Sequence, residues 1–293
     1  YDGYTVYLAP SLHGMDFNRN FPWCWRPEGQ QSGAGEYPTS TPEVRAIVDF
    51  ITQCTNICGA ITYHSFSGAL LRPLSHKSDN DMDTEDLWTY QNIGEIGTKI
   101  TGYPCVSTFH DFKYHPKEVI TGTFDDWMYE HKGAFTLTIE LWDLPTASGV
   151  KEKNEKKNFI DWFRKHPFED DYKIVDFIDK HMPEGLVPWY EFQHPQLGKV
   201  ELGGWNRIFT WRNPPPSLLE KEIAPQADFA IEFISLLPRL TWHTIKVEKV
   251  GEDAYHILTV LENKGYFPTY VCNQAKNVRT IKPVRMEIEL PEG

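Results

Sequence analysis

Apolar positions alternate between helical and strand spacing along the first half of the chain. Val44, Ile47, Val48 and Ile51 fall on one face of a helix that starts at Thr41-Pro42-Glu43, with proline in the first turn and an acid after it. A second stripe, Leu87, Tyr90, Ile93 and Ile96, predicts a longer helix over residues 84–101. Gly59-Ala60-Ile61-Thr62-Tyr63-His64 and residues 134–140 read as buried strands, and 125–130 as a short helix stopped near Gly133. Strands alternating with helices predict an α/β domain whose sheet is mixed, mostly parallel and flanked by helices.

The pattern changes after residue 150. The run KEKNEKKN (151–158) reads as a solvated helix start, and helical spacing continues through Phe159, Trp162 and Phe163 to Ile178. Pro183, Gly185, Pro188, Pro195 and Gly198 predict a loop-rich stretch. Asn213-Pro214-Pro215-Pro216 breaks the chain before a last helix at 217–237. Beyond Pro238 the apolar period is two, in Thr244–Val250, Tyr255–Glu262 and Val284–Leu290, with turns at 251–253 and 262–265. Two parts are therefore expected: an α/β domain over 1–238 and a small β-sandwich-like module over 239–293. That module is short for a sandwich and is expected to be incomplete.

Composition narrows the function classes. A chain of 293 residues suits one large domain or two smaller ones, and 40% hydrophobic residues exclude a disordered chain. A net charge of −12, with no basic stripe, argues against nucleic acid as a partner. The same acidity would steer cationic substrates, and simple solubility also accounts for it. No apolar run reaches the length of a membrane-spanning helix. Five cysteines, Cys24, Cys54, Cys58, Cys105 and Cys272, form no disulfide framework; Cys54 and Cys58 read as buried thiols. A chain that opens YDGYTVYLAP reads as an internal or processed piece.

Two ionisable residues end predicted strands. His64 closes GAITYH and Glu140 closes AFTLTIE. Ligands of α/β sheets bind beyond the carboxyl ends of strands, so His64 and Glu140 suit a metal ligand and a general base. A hydrogen-bonded core histidine and a Glu140–Arg72 salt bridge are the alternatives. Asp16-Phe17-Asn18-Arg19-Asn20-Phe21 sets Asn18 beside Arg19 in an aromatic setting. Arginine grips a carboxylate with two parallel hydrogen bonds, which suits a free chain terminus; satisfying loop carbonyls is its other use.

Taken in order, these segments resemble the zinc metallocarboxypeptidases of the carboxypeptidase A/B type. The resemblance rests on Asp16 to Phe21, Pro42-Glu43-Val44-Arg45, His64-Ser65-Phe66, Asp126-Trp127-Met128-Tyr129 with Gly133, and Glu140-Leu141-Trp142-Asp143. It covers roughly 130 residues in the family's order. It implies a zinc carboxypeptidase-like fold and a zinc-dependent hydrolysis of the last peptide bond, with peptide or protein C-termini as partners. His64 would be the zinc ligand that arrives from a strand end, and Glu140 the acid/base that activates water. Asn18 and Arg19 would hold the substrate's terminal carboxylate, and Ser65 would line the groove through its backbone. Asp125 matches the position that sets side-chain preference, where an acid favours C-terminal Lys or Arg; it also reads as an ordinary acid at a helix start.

The resemblance has gaps. The family's other two zinc ligands come from an H-x-x-E segment upstream of D-x-N-R-N, and residues 1–15 hold none; His13 stands alone. A second, oxyanion-stabilising Arg is expected upstream as well. One protein ligand holds Zn²⁺ poorly against water, so an isolated 1–293 polypeptide is expected to be inactive. The family's substrate-covering Tyr falls at Glu118, with Tyr114 nearby. A zinc deacylase or amidase of the same fold and a peptide-binding relative without activity are the rival readings. The C-terminal module could bind a partner or carbohydrate, or serve as a spacer.

Overall fold

The computed structural model describes residues 14–113, 117–150 and 160–289. His13, Tyr114 and the charge run 151–158 lie outside the described residues.

The first sheet holds four strands in the order β1-β4-β2-β3: β1 Gly59–Ser65, β2 Ala69–Arg72, β3 Cys105–Ser107 and β4 Phe135–Leu141. The β1–β4 and β2–β3 pairs are parallel and β2–β4 is antiparallel. The sheet is therefore mixed and mostly parallel, as the alternation of elements predicts. Helix α1, Pro42–Gln53, starts where Thr41 caps the Val44 amide, and helix α2, Thr84–Thr101, is capped by Asp83. Gly102 ends α2 in the left-handed region, a backbone state that costs glycine nothing.

Strand β4, Phe-Thr-Leu-Thr-Ile-Glu-Leu, alternates strictly, and the alternation divides its work between two faces. Phe135, Leu137 and Ile139 pack with Tyr90 and Ile93 of α2 and with Phe229 and Phe233 of the helix Pro216–Leu236. Thr136, Thr138 and Glu140 are buried on the opposite face. A smaller cluster of Phe21, Val44, Ile51, Trp127 and Met128 joins the Asn18–Arg19 segment to α1 and to the turn before β4. That turn is one α-helical step, Phe124–Asp126, running into π-helical Trp127–Lys132. Gly133 stops it at φ 68°, with its Cα hydrogen directed at the backbone of Ala275.

Three expectations change. The helix predicted to run to Ile178 is two helices, Asp161–Arg164 and Phe168–His181, separated around Pro167, because the residue before a proline is driven out of helical geometry. The loop-rich stretch is an antiparallel hairpin, β5 Leu186–His194 with β6 Gly198–Trp205. Its register breaks between Val187 and Tyr190, where Pro188 has no amide to give, and a two-stranded ribbon tolerates that. Past 238, β7 Leu240–Lys249 and β8 Tyr255–Asn263 form a single two-stranded sheet, while residues 284–289 of the further strand expected over Val284–Leu290 have no regular structure. Trp242, Ile245, Val247 and Leu258 of this ribbon are exposed. Phe267, Cys272 and Ala275 beyond it are buried in the same cluster as Phe135 and Tyr129. Cys54 and Cys58 are half-buried free thiols.

Candidate active site

The carboxyl ends of β1 and β4 open into a cleft of about 760 Å³. Asn18, Arg19, His64, Ser65, Asp125 and Glu140 all line it. Every residue that the sequence proposes for the site thus reaches one cavity, although they come from four separate chain segments.

The strand register sets its floor. In the parallel β1–β4 pair Thr62 opposes Thr138, His64 opposes Glu140 and Ser65 opposes Leu141. Paired positions project from the same face of a sheet, so Thr62, His64, Thr138 and Glu140 share the face opposite the apolar one. This also explains why a strand that reads as buried carries Thr, Thr and Glu at its even positions.

Glu140 is 7% exposed. Burial pushes its carboxyl up from the usual 4.5 to about 8, while Arg212 and Arg19 pull the other way and Asp16 adds to the rise. A carboxyl tuned toward neutrality serves as a proton acceptor and donor at physiological pH. Arg72 does not pair with it; its guanidinium binds Asp79, with Nη1 to Oδ1 at 2.8 Å. The salt-bridge alternative for Glu140 is thereby corrected, because Arg72 ends β2 and reaches the turn at Asp79 instead. His64 is half-buried. Burial holds its imidazole below the ordinary histidine range, Asp125 and Asp16 oppose that, and Arg19 reinforces it. A neutral imidazole is the form that ligates a metal.

The wall opposite the strands begins with the turn Phe17–Arg19. Asp16 accepts the Asn18 amide at 2.9 Å, and Asn18 Oδ1 accepts the Phe124 amide at 2.8 Å. Arg19 Nη1 donates to the Asn18 carbonyl at 2.7 Å, and Nη2 lies 3.6 Å from Asp16 Oδ2. Arg19 therefore satisfies a loop carbonyl and faces the cleft as well. Asp125 is buried, accepts the Asp126 amide at 3.1 Å and belongs to the first turn of its helix. Asp125 thus starts its helix and lines the cleft.

Arg212 completes the lining and is the residue that sequence reasoning missed. It lies far beyond Glu140, between a buried tryptophan and a proline run. Trp211 is fully buried and packs edge-on against Phe66, and the Trp142 indole donates to the Thr210 carbonyl at 2.6 Å. These contacts fix the segment beside the end of β4, with the Arg212 guanidinium 5.9 Å from the Phe66 ring. Glu118 lines a neighbouring hollow that includes Arg19 and Arg26, not the main cleft. Among the described residues no set of three His, Cys, Asp or Glu donors forms around His64.

Comparison with known proteins identifies the family of the chain. Residues 6–181 match the zinc carboxypeptidase family, and residues 239–293 match a domain of unknown function. Carboxypeptidase B2 of Rattus norvegicus is 32% identical over 151 residues, covering 47% of this chain and 35% of the relative. Carboxypeptidase A1 of Mus musculus is 29% identical over 178 residues, covering 53% and 41%. A crystal structure of thrombin activatable fibrinolysis inhibitor aligns at 28% identity and a TM-score of 0.37, over 45% of this chain and 36% of that one. The chain spans roughly a third of the length of the curated relatives it matches. The family match covers more than half of the 293 residues and contains every segment from Asn18 to Glu140, so the chain belongs to the zinc carboxypeptidase family.

Proposed function

We propose that this chain carries the substrate-gripping and proton-transferring part of a metallocarboxypeptidase that removes the C-terminal residue of peptides. The convergence of Asn18, Arg19, His64 and Glu140 on one cleft carries this reading. Arg19 and Asn18 hold the terminal carboxylate, and Ser65 offers backbone groups beside it. Glu140 takes a proton from the attacking water and returns it to the leaving amine. Asp125, buried in the same wall and close to His64, supports a preference for C-terminal Lys or Arg. We further propose a division into a carboxypeptidase-like domain over 1–238 and a small C-terminal module over 239–293, with Phe267, Cys272 and Ala275 of the module packed into the core of the domain.

The family implies a zinc ion, which polarises the scissile carbonyl and acidifies water when bound. The described residues do not supply a complete site for it. His64 is one donor, and its surroundings hold no further pair of donors within ligating reach of it and of each other. A catalytic zinc needs three protein ligands. The 1–293 polypeptide is therefore proposed to bind peptide C-termini without hydrolysing them unless the missing ligands are supplied from elsewhere.

Peptide binding with matched free and amidated C-termini tests the reading. The 293-residue chain should bind a free-acid peptide ending in Lys and lose that binding on amidation, with no release of lysine. Equal affinity for both forms would overturn the carboxylate role, and turnover by the isolated chain would overturn the proposed incompleteness. A deacylase would instead favour an N-acyl amino acid over a peptide of the same terminal residue.

A further inference from the structure

A second cluster of metal donors lies outside the residues that line the cleft. Cys24 Sγ, a ring nitrogen of His76 and a carboxylate oxygen of Glu130 all lie within 4.8 Å of one another. They come from three segments: the loop after the Asn18–Arg19 turn, the loop after β2, and the π-helical turn before β4. Among the described residues this is the group of three donors with ligating proximity.

The histidine is oriented as a ligand would be. His76 Nδ1 lies 2.9 Å from Asp126 Oδ2, while Nε2 faces Glu130 Oε2 at 3.2 Å. Asp126 is itself held by the Ser75 amide at 2.9 Å. A carboxylate behind the non-ligating nitrogen is the usual support of a metal-bound imidazole, because it fixes the tautomer and the ring plane. Glu130 is also fixed: Lys77 pairs with its Oε1, and the Trp23 indole donates to Oε2. The Trp23 bond brings its neighbour Cys24 to the cluster, and Cys24 adopts φ 52° there. The carboxylates of Glu130 and Asp126 and the cations of Lys77 and Arg26 all act on Cys24.

Size and softness select the ion. Bonds of about 2.0–2.3 Å to nitrogen and sulfur place tetrahedral donors roughly 3.3–3.8 Å apart. The His76–Glu130 spacing is already close to that, and the exposed Cys24 lies within 4.8 Å of both. A thiolate, an imidazole and a carboxylate together suit a zinc-like cation better than magnesium or calcium, which prefer oxygen alone.

We propose that Cys24, His76 and Glu130 bind one zinc-like divalent cation outside the catalytic cleft, with Asp126 positioning His76. The ion clamps the loop that follows Asn18–Arg19 against the helical turn that carries Asp125. It would thereby stabilise the carboxylate-holding wall without touching substrate. This site does not depend on the peptidase reading.

Cobalt titration of the chelator-stripped 293-residue chain tests it. One equivalent of Co²⁺ should bind with a thiolate-to-cobalt charge-transfer band, Zn²⁺ should displace it, and the thermal midpoint should rise with metal, since an ion that binds only the folded state stabilises it. Cys24→Ser, at an exposed position, should lose the band and the thermal shift while folding normally. Asp126→Asn should keep the band and weaken affinity roughly 10–100-fold. His64→Ala should change none of these. Absence of saturable binding, a band that survives Cys24→Ser, or binding lost in His64→Ala and kept in Cys24→Ser would each overturn the site. Unchanged affinity in Asp126→Asn would overturn the positioning role.

Discussion

His64 and Glu140 are direct partners in the parallel register of β1 and β4. Their side chains emerge side by side from one face of the sheet at its carboxyl edge. The pairing places a neutral imidazole next to a carboxyl held near neutrality, both by burial. Burial disfavours the charged form of each group separately, which lowers the affinity of the imidazole for a proton and raises that of the carboxyl.

The raised acidity constant of Glu140 predicts a pH dependence of stability. The folded chain holds this proton up to about 8, whereas the unfolded chain releases it near 4.5. The folded state therefore binds more protons between those values, and stability falls as pH rises through them. Each pH unit in that window is worth roughly 1.4 kcal/mol for a fully shifted group. Glu140→Gln should remove this slope: the variant gains on the wild type as pH rises from 5 to 8 and holds a constant advantage above. Denaturant melts at several pH values measure it. Parallel wild-type and variant curves would show that the carboxyl is not desolvated in solution.

Arg19 should contribute affinity through geometry as well as charge. Arg19→Lys keeps the charge and loses the planar fork, so it should recover only part of the affinity lost in Arg19→Ala. The alanine variant should weaken binding of free-acid peptides by about 1.5–3 kcal/mol, the range for hydrogen bonds to a charged group. Amidated peptides should be unaffected. Calorimetric titration with both peptide forms gives the comparison.

Asp125→Asn tests side-chain preference with little structural disturbance, because the amide oxygen can still accept the Asp126 amide. The ratio of affinities for peptides ending in Lys and in Leu should fall by about tenfold, or about 1.4 kcal/mol. An unchanged ratio would leave Asp125 with its helix-start role alone.

Much of this site was legible in the sequence because its residues sit at the ends of strongly patterned elements. The buried-strand readings of 59–64 and 134–140 place His64 and Glu140 at strand ends without any knowledge of packing. Arg212 was not legible. Its position depends on Trp211 burying against Phe66 and on the Trp142–Thr210 hydrogen bond, and neither pairing leaves a local pattern. The hairpin at β5 and β6 was hidden by prolines, which signal loops but also fit the bulge and turn of an isolated ribbon. The Cys24 cluster was missed for a similar reason: its three donors are spread over more than a hundred residues, and only the fold brings them together. Arg72 shows the converse, a plausible partner of Glu140 in sequence that the topology sends to Asp79.

Gly122 ties backbone geometry to recognition. It sits at φ 65°, and a Cβ there would lie 2.5 Å from the Arg19 carbonyl oxygen and 2.9 Å from its carbon. Its own carbonyl accepts the Phe21 amide at 3.0 Å, so it fastens the far side of the Asn18–Arg19 segment. Alanine in the left-handed region costs about 1–2 kcal/mol before any clash. The contact is with backbone, so it cannot be relieved by rotating a side chain; the Arg19 segment has to move. Gly122→Ala should therefore lower stability by at least that amount and also weaken free-acid peptide binding, although Gly122 touches no substrate. Gly102→Ala is the control: φ is 76°, but nothing lies within 4 Å of the added Cβ. It should show a similar conformational cost and unaltered peptide affinity. Equal affinities for the two variants would mean that the approach of Gly122 does not hold Arg19 in place.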